Sequence, residues 1–370
     1  MFAYIVGVVL FALGVCLSLA LHEAGHMLTA KAFGMKVRRF FVGYGPTLFS
    51  FRRRGTEYGL KAVPLGGFCD IAGMTTLDEV SPAEAPRAMW RFKTWQRTVV
   101  MATGPITHFA LGFVILYAMA ATMGLPNTTG KPELGAVGNG AAQAAGIQPG
   151  DTITAVAGKP TPNWADVVGT VRAQSGRTAV EVRRGAETIR FTLDIPQVGG
   201  VGVIGTSVAT SLRYGPVDAV GAATTFTGQM FAQTWQKLIE FPQRVPALVS
   251  AIFGGERDPN TPISVVGASR LGGEAVQAGL WSVFLLLLAG MNFFLGVFNL
   301  LPLLPLDGGH IAITWFERTR DWLRKLRGKA ARGPVDYTRL ATITMALVVV
   351  GGALVALTIT ADLVNPIRLG

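Results

Sequence analysis

The sequence predicts a polytopic α-helical membrane protein with about four transmembrane helices. A membrane-associated β-hairpin or small sheet follows the first helix, and one extracytoplasmic α+β domain is inserted later. Three observations lead there. Of 370 residues, half are hydrophobic and 15% are charged, against about 25% charged in ordinary soluble domains, and the mean hydropathy is +0.42. Four stretches are long and apolar enough to cross a bilayer as helix, which takes roughly 20 residues. The basic excess, a net charge of +11, concentrates in two of the connecting loops. This composition excludes a disordered chain. With only Cys16 and Cys69, it also excludes a disulfide scaffold or a cysteine-built zinc site.

The first helix, within residues 1–35, has no charge before His22. It lacks a basic n-region and outruns a typical signal-peptide core, so a retained helix is expected. Residues 36–97 form a membrane-associated β loop. Its β-like runs, Val37–Val42, Thr47–Phe51 and Tyr58–Val63, are separated by Gly43-Tyr44-Gly45-Pro46 and by Arg52-Arg53-Arg54-Gly55. An open strand edge there could take up an unwound peptide by β-addition, with Gly66 and Gly67 allowing close backbone approach. A lipid-dipping hairpin is the other reading.

The second helix covers 98–124. Residues 131–195 alternate short apolar runs with glycine turns, as a small α+β domain does, and 197–279 read as an amphipathic helix and linker. The third segment, 280–315, contains Asn292, Asn299, two prolines and Asp307, so it is not expected to be one regular helix; broken helix at membrane depth is tolerated around an enclosed cavity. Residues 316–339 read as a basic cytoplasmic loop and 340–362 as the fourth helix. Lysine and arginine crowd the first-to-second and third-to-fourth loops, which places both on the cytoplasmic side and 125–279 outside. The same basic residues suit anionic lipid. No aromatic-basic module suggests nucleic acid.

Leu21-His22-Glu23-Ala24-Gly25-His26 is a His-Glu-x-x-His motif. Residues four apart share a helix face, so His22 and His26 can hold one zinc ion, with Glu23 placed to take a proton from water. A catalytic zinc needs a third protein ligand. Asp307 is the only acid between Glu274 and Glu317 and falls on the same membrane side as the histidines. Two other roles stay open for it: a helix cap, or a partner for an arginine such as Arg318.

The motif in the first helix, followed by Asn299-Leu300-Leu301-Pro302 and Asp307-Gly308-Gly309 in a later one, resembles the site-2 protease family of intramembrane metalloproteases. Gly43-Tyr44-Gly45, Pro64-Leu65-Gly66-Gly67-Phe68 and Thr103-Gly104-Pro105 resemble further family segments. Residues 131–195 resemble a PDZ domain, chiefly through Gly146-Ile147-Gln148-Pro149-Gly150-Asp151. The order of parts is similar to that of bacterial regulators that cleave anti-sigma factors. The resemblance implies one Zn2+ held by His22, His26 and Asp307, Glu23 as general base, and Asn299 positioning substrate. It implies single-span membrane proteins as substrates, a bacterial cell membrane location, and an active site near the cytoplasmic face. Asn299 could equally bond backbone freed by Pro302. His108 departs from the family, which usually carries Asn there; bonding between helices is its commoner fate. A zinc protease with a glutamate third ligand is a rival, as is a metal transporter or PDZ-bearing scaffold without protease activity. A transporter would be expected to show repeats, and none stands out.

Overall fold

The computed structural model describes residues 1–369, and the side chains of all of these except Pro64 and Leu65, which therefore lie outside the described part of the Pro64–Phe68 stretch. The chain divides into two compact units, Met1–Leu116 with Thr224–Gly370, and Tyr117–Ala223. The chain opens with α1 (Phe2–Ala32), β1 (Val37–Arg53), β2 (Thr56–Ile71) and α2 (Thr94–Thr122). Next come β3 (Leu125–Pro126), β4 (Leu134–Val137), α3 (Ala141–Ala144), β5 (Thr152–Val156), β6 (Lys159–Pro160), α4 (Trp164–Arg172), β7 (Gly176–Arg184) and β8 (Glu187–Ile195). Short pairs follow, β9 (Gln197–Val198), β10 (Val201–Gly202), β11 (Thr206–Val208) and β12 (Ser211–Leu212). The rest is helical: α5 (Pro216–Ile252), α6 (Val265–Gln277), α7 (Trp281–Asn299), α8 (Asp307–Leu326) and α9 (Tyr337–Val364).

Helices α1, α2, α7 and α9 are long and apolar enough to span a membrane. The chain is thus a multi-pass membrane protein. Its exposed side chains on these helices, such as Leu13, Leu17, Val114 and Val349, are apolar because lipid rather than water is their solvent. Helix α1 packs on α6 at very short range: a Cβ added at Gly7 would stand 2.8 Å from the Gly273 Cα. Small residues on both sides permit this approach, the usual device where lipid tails compete equally for apolar surface.

Strands β1 and β2 are long and bent, so each pairs twice. The run 37–42 pairs with 57–60 on one side and with 67–71 on the other, while 47–53 pairs with 56–61. The result is a small mixed sheet in the order 47–53, 56–61, 37–42, 67–71, in which 37–42 and 57–60 run parallel and the other pairs antiparallel, with 67–71 as one edge. In the second unit a four-stranded sheet of order β6-β5-β7-β8 packs Ile153, Val156, Val180, Val182, Leu193 and Ile195 against Val167 and Val171 of α4.

The third segment is broken as expected, and two other expected boundaries differ. Residues 280–315 are two helices: Pro302 and Pro305 lack amide donors and clash with a continuing helix, so α7 stops at Asn299 and α8 starts at Asp307. The stretch 316–339 is not wholly loop. Trp315, Trp322 and Leu326 recur at helical spacing, and α8 runs to Leu326, with Arg324 and Lys325 in its last turn where cations suit the helix dipole; Gly328 follows at φ +67°. Region 197–279 carries a second helix, α6, whose N-cap Ser264 accepts from the Gly267 amide.

Candidate active site

Helix α1 carries His22, Glu23 and His26 in its C-terminal part, where spacing of four residues aligns the two imidazoles on one face. Both imidazoles are buried, and so is most of Asp307 at the first position of α8. The structure brings these three residues together although 281 positions separate His26 from Asp307. His22 Nε2 lies 3.1 Å from His26 Nε2. His22 Nε2 to Asp307 Oδ2 is 3.2 Å, and His26 Nε2 to Asp307 Oδ1 is 3.4 Å. Among the described residues these three form the group whose ligand atoms could share one metal ion.

The donor triangle fits zinc. Bonds of about 2.0–2.2 Å at tetrahedral angles set ligand atoms about 3.3 Å apart, and the three edges bracket that value. Orphaned polar atoms agree: Asp307 Oδ2 is buried with no hydrogen-bond partner, an expensive condition unless a cation completes it. Asp307 caps nothing, since the α8 N-cap is Leu306 without a side-chain bond. No ion pair joins it to Arg318 among the described residues.

Backbone contacts set the imidazole orientation. His26 Nδ1 donates to the Val100 carbonyl of α2 at 2.7 Å, which leaves Nε2 with its lone pair toward His22 and Asp307. Gly104 makes room for both rings. A Cβ there would overlap His26 Nε2 and fall 2.7 Å from His22 Cε1. The turn before α8 is equally tight, because a Cβ at Gly308 would overlap the carbonyl oxygens of Leu300 and Leu301. Glu317 further along α8 pairs with Arg97 of α2 at 3.1 Å and accepts the Val335 amide at 2.8 Å, so the helix carrying Asp307 is anchored on α2.

Glu23 lies against the edge run of β2. Its Cγ is 3.5 Å from where a Gly67 side chain would begin. Gly66 takes φ +106°, which favours glycine, and Tyr44 donates to the Gly67 carbonyl at 2.9 Å. Gly66 and Gly67 are thus brought beside the motif. Asn299 ends α7 and makes no hydrogen bond with His22, His26 or Asp307 among the described residues.

His108 is fully buried. Its Nδ1 donates to Asn292 Oδ1 at 3.1 Å, the same oxygen that accepts from Ser18 Oγ at 2.8 Å. These residues tie α1, α2 and α7 together. The His108 ring also stands 4.9 Å from that of His22, and His22 Nδ1 and His108 Nε2 are both buried without a partner. Sequence reasoning gave Ser18 and Asn292 no place in the site. A polar residue within each apolar segment was the available signal.

The chain is similar to the protein named "Zinc metalloprotease Rip1" of Mycolicibacterium smegmatis, 44% identical across 98% of each chain. It is 45% identical to the Mycobacterium tuberculosis protein of that name, across 99% of each. A plant protein from Arabidopsis thaliana, "Probable membrane metalloprotease ARASP2, chloroplastic", is 28% identical over 82% of this chain and 69% of its own. The model of Peptidase family M50 matches residues 10–343, most of the chain from α1 to the start of α9, and the chain therefore belongs to Peptidase family M50, the site-2 proteases.

Proposed function

We propose that the chain is a zinc endopeptidase that hydrolyses peptide bonds within or beside the membrane segments of single-span membrane proteins, anti-sigma factors among them. In this reading His22, His26 and Asp307 hold one Zn2+. The observation that carries it is the triangle of two imidazole nitrogens and a carboxylate, 3.1–3.4 Å on a side. A zinc ion held there supplies Lewis acidity, polarising the scissile carbonyl and lowering the pKa of water toward about 7. Glu23 takes the proton as the water oxygen attacks the carbonyl carbon, and returns it to the nitrogen as the C–N bond breaks.

The β2 edge supports a role in holding substrate. A helical segment hides its carbonyls in hydrogen bonds and must unwind before attack; an extended stretch can then pair along an exposed strand edge. Gly66 and Gly67 let that stretch pass close to Glu23, and Asn299 offers both donor and acceptor to it. The basic loops around β1–β2 and after α8 support a cytoplasmic placement of this end of the bundle, in a bacterial cell membrane. Residues 131–195 act in this reading as a PDZ-like domain outside the membrane. A groove of about 490 Å3, lined by Trp164, Val168 and Val171 of α4 and by residues 202–207, is where an extended segment would lie.

The test is reconstitution with a labelled membrane-span substrate. Wild type should cleave, lose cleavage on chelation and regain it with zinc. Glu23→Gln should keep its metal and lose cleavage. A Glu23→Gln variant with full activity would contradict the proposal.

A further inference from the structure

A second site lies beyond the catalytic cluster, where α1 gives way to the sheet. A half-open cavity of about 610 Å3 is walled by Lys31, Lys36, Arg53, Arg54 and Arg87, with Met35, Val37 and Phe51 also lining it. Five cations converge there, and among the described residues none has an acidic partner at ion-pair distance. The neighbouring acids are engaged elsewhere: Asp78 and Glu84 by Arg38, Asp70 by Arg39, and Glu57 by Arg52.

The cations that do have partners bond only neutral groups. Lys31 donates to the Tyr58 hydroxyl, Lys36 to the Gly55 carbonyl at 2.6 Å, and Arg87 to the Gly34 carbonyl at 2.9 Å. Arg54 heads a tight hairpin turn at φ +49° with Gly55 at +76°. Such a turn ordinarily takes Asn-Gly or Asp-Gly. An arginine held in the left-handed region is a strained choice and points to a use for its charge.

We propose that this cavity is a binding site for a phosphate-bearing anion, and that its source is the headgroup of an anionic phospholipid. Uncompensated positive charge around one cavity calls for a counter-ion, and arginine forks match phosphate oxygens. The apolar lining suits the glycerol and upper acyl part of a lipid rather than a fully hydrated ion. Location agrees: the cavity begins at the inner end of the membrane helix α1, and the same hairpin exposes Leu48, Phe49 and Phe51. This site is independent of the peptidase reading, since it uses none of the catalytic residues.

The experiment is native mass spectrometry of the full chain in detergent with dioleoyl phosphatidylglycerol, dioleoyl phosphatidylcholine or inorganic phosphate as probe. Wild type should retain the glycerol lipid about tenfold better than the choline lipid, since lysine and arginine near a membrane surface favour anionic lipid. The triple variant Lys36→Gln, Arg53→Gln, Arg54→Gln should lose that preference. The control Arg324→Gln, Lys325→Gln, Arg327→Gln removes equal charge from the end of α8 and should keep it. Saturable binding of phosphate alone, lost in the same variant, would support the site with the anion taken from solution. Should the triple variant misfold, Arg53→Gln alone, at an exposed side chain with no hydrogen bond or ion pair among the described residues, should weaken retention by severalfold. Equal retention of all probes by wild type and variant would overturn the proposal.

Discussion

Two aspartates are buried in the membrane unit, and they are buried differently. Asp362, near the end of α9, is 1% exposed and fully answered: Oδ1 accepts from Arg257 Nη2 at 2.9 Å and Oδ2 from the Ser264 amide at 2.6 Å. Arg257 is buried with it, and Gly267 leaves no room for a side chain beside the carboxylate. Asp307 meets only two imidazole nitrogens, and one of its oxygens has no hydrogen bond. A buried carboxylate with its own guanidinium is complete, and its role is to lock α9 to the loop before α6. A buried carboxylate facing lone pairs is incomplete, and a cation is what completes it. Burial of an acid does not mark a site; burial without a donor does.

The sharpest way to break this contrast is to remove each acid in turn. Asp307→Ala should lose bound zinc and all measurable cleavage. Glu23→Gln should retain zinc and lose cleavage by about 10²–10⁴-fold, the range for a positioned general acid–base. Metal content by mass spectrometry separates the two. Zinc retained at full stoichiometry in Asp307→Ala would place Asp307 with Asp362 as a structural acid.

Gly104→Ala tests the same triangle from outside. The added methyl must push both imidazoles, and displacements near 1 Å cost about 10²-fold in rate. Cleavage should fall by about that factor, with zinc bound more weakly, while thermal unfolding moves far less. His108→Phe keeps the ring volume and removes the nitrogen facing Asn292. Outer contacts of ligating histidines are worth about 10–100-fold in metal affinity, so zinc titration should show a loss at the lower end of that range. An unchanged affinity would confine His108 to joining helices.

Asp362→Ala should do the opposite. Leaving Arg257 buried without its partner costs about 3–5 kcal/mol, read as a lowered unfolding temperature. Zinc content and cleavage measured well below that temperature should stay near wild type.

The sequence made Asp307 conspicuous and Asp362 invisible, for a physical reason. The ligand set depends on residue type and spacing, which a string of letters carries: His22 and His26 lie one turn apart, and Asp307 is the one acid in a long apolar stretch. The four spanning helices were legible on the same footing, because bilayer thickness translates directly into run length. Asp362 depends on Arg257, 105 positions away, and only the folded chain shows the pair. Gly104 was readable as part of a family segment, yet its function, to let two imidazoles sit where a methyl would, is a distance between helices. Helix α6 escaped notice because its Gly-Ala-Ser-Arg-Leu-Gly-Gly run has poor helix propensity; packing on α1 stabilises it. The continuation of α8 past Trp315 was hidden by its arginines, which read as loop although their spacing leaves an apolar stripe.

A third buried aspartate lies outside the membrane helices and gives the gentlest test. Asp151, in the Pro-Gly-Asp turn of the second unit, accepts from Arg184 Nε at 2.7 Å, from Nη2 at 2.8 Å and from the Gln148 amide at 2.9 Å. Arg184 holds its carboxyl below the ordinary value of 3.8. A carboxyl whose folded pKa is depressed contributes stability that is complete above its unfolded pKa and fades as pH falls through the folded one. Local protection of amides in β5 and β7, measured by hydrogen exchange corrected for intrinsic rate, should therefore hold from neutral pH down to about 4 and weaken below it. Asp151→Asn should remove that acid-dependent loss and lower protection at neutral pH. Cleavage at the His22, His26 and Asp307 triangle should be indifferent to the change, since Asp151, like Asp362, already has its cation. A protection profile that is flat with pH in wild type would show that the Arg184 pair contributes nothing, and the distinction between answered and unanswered acids would then rest on the membrane unit alone.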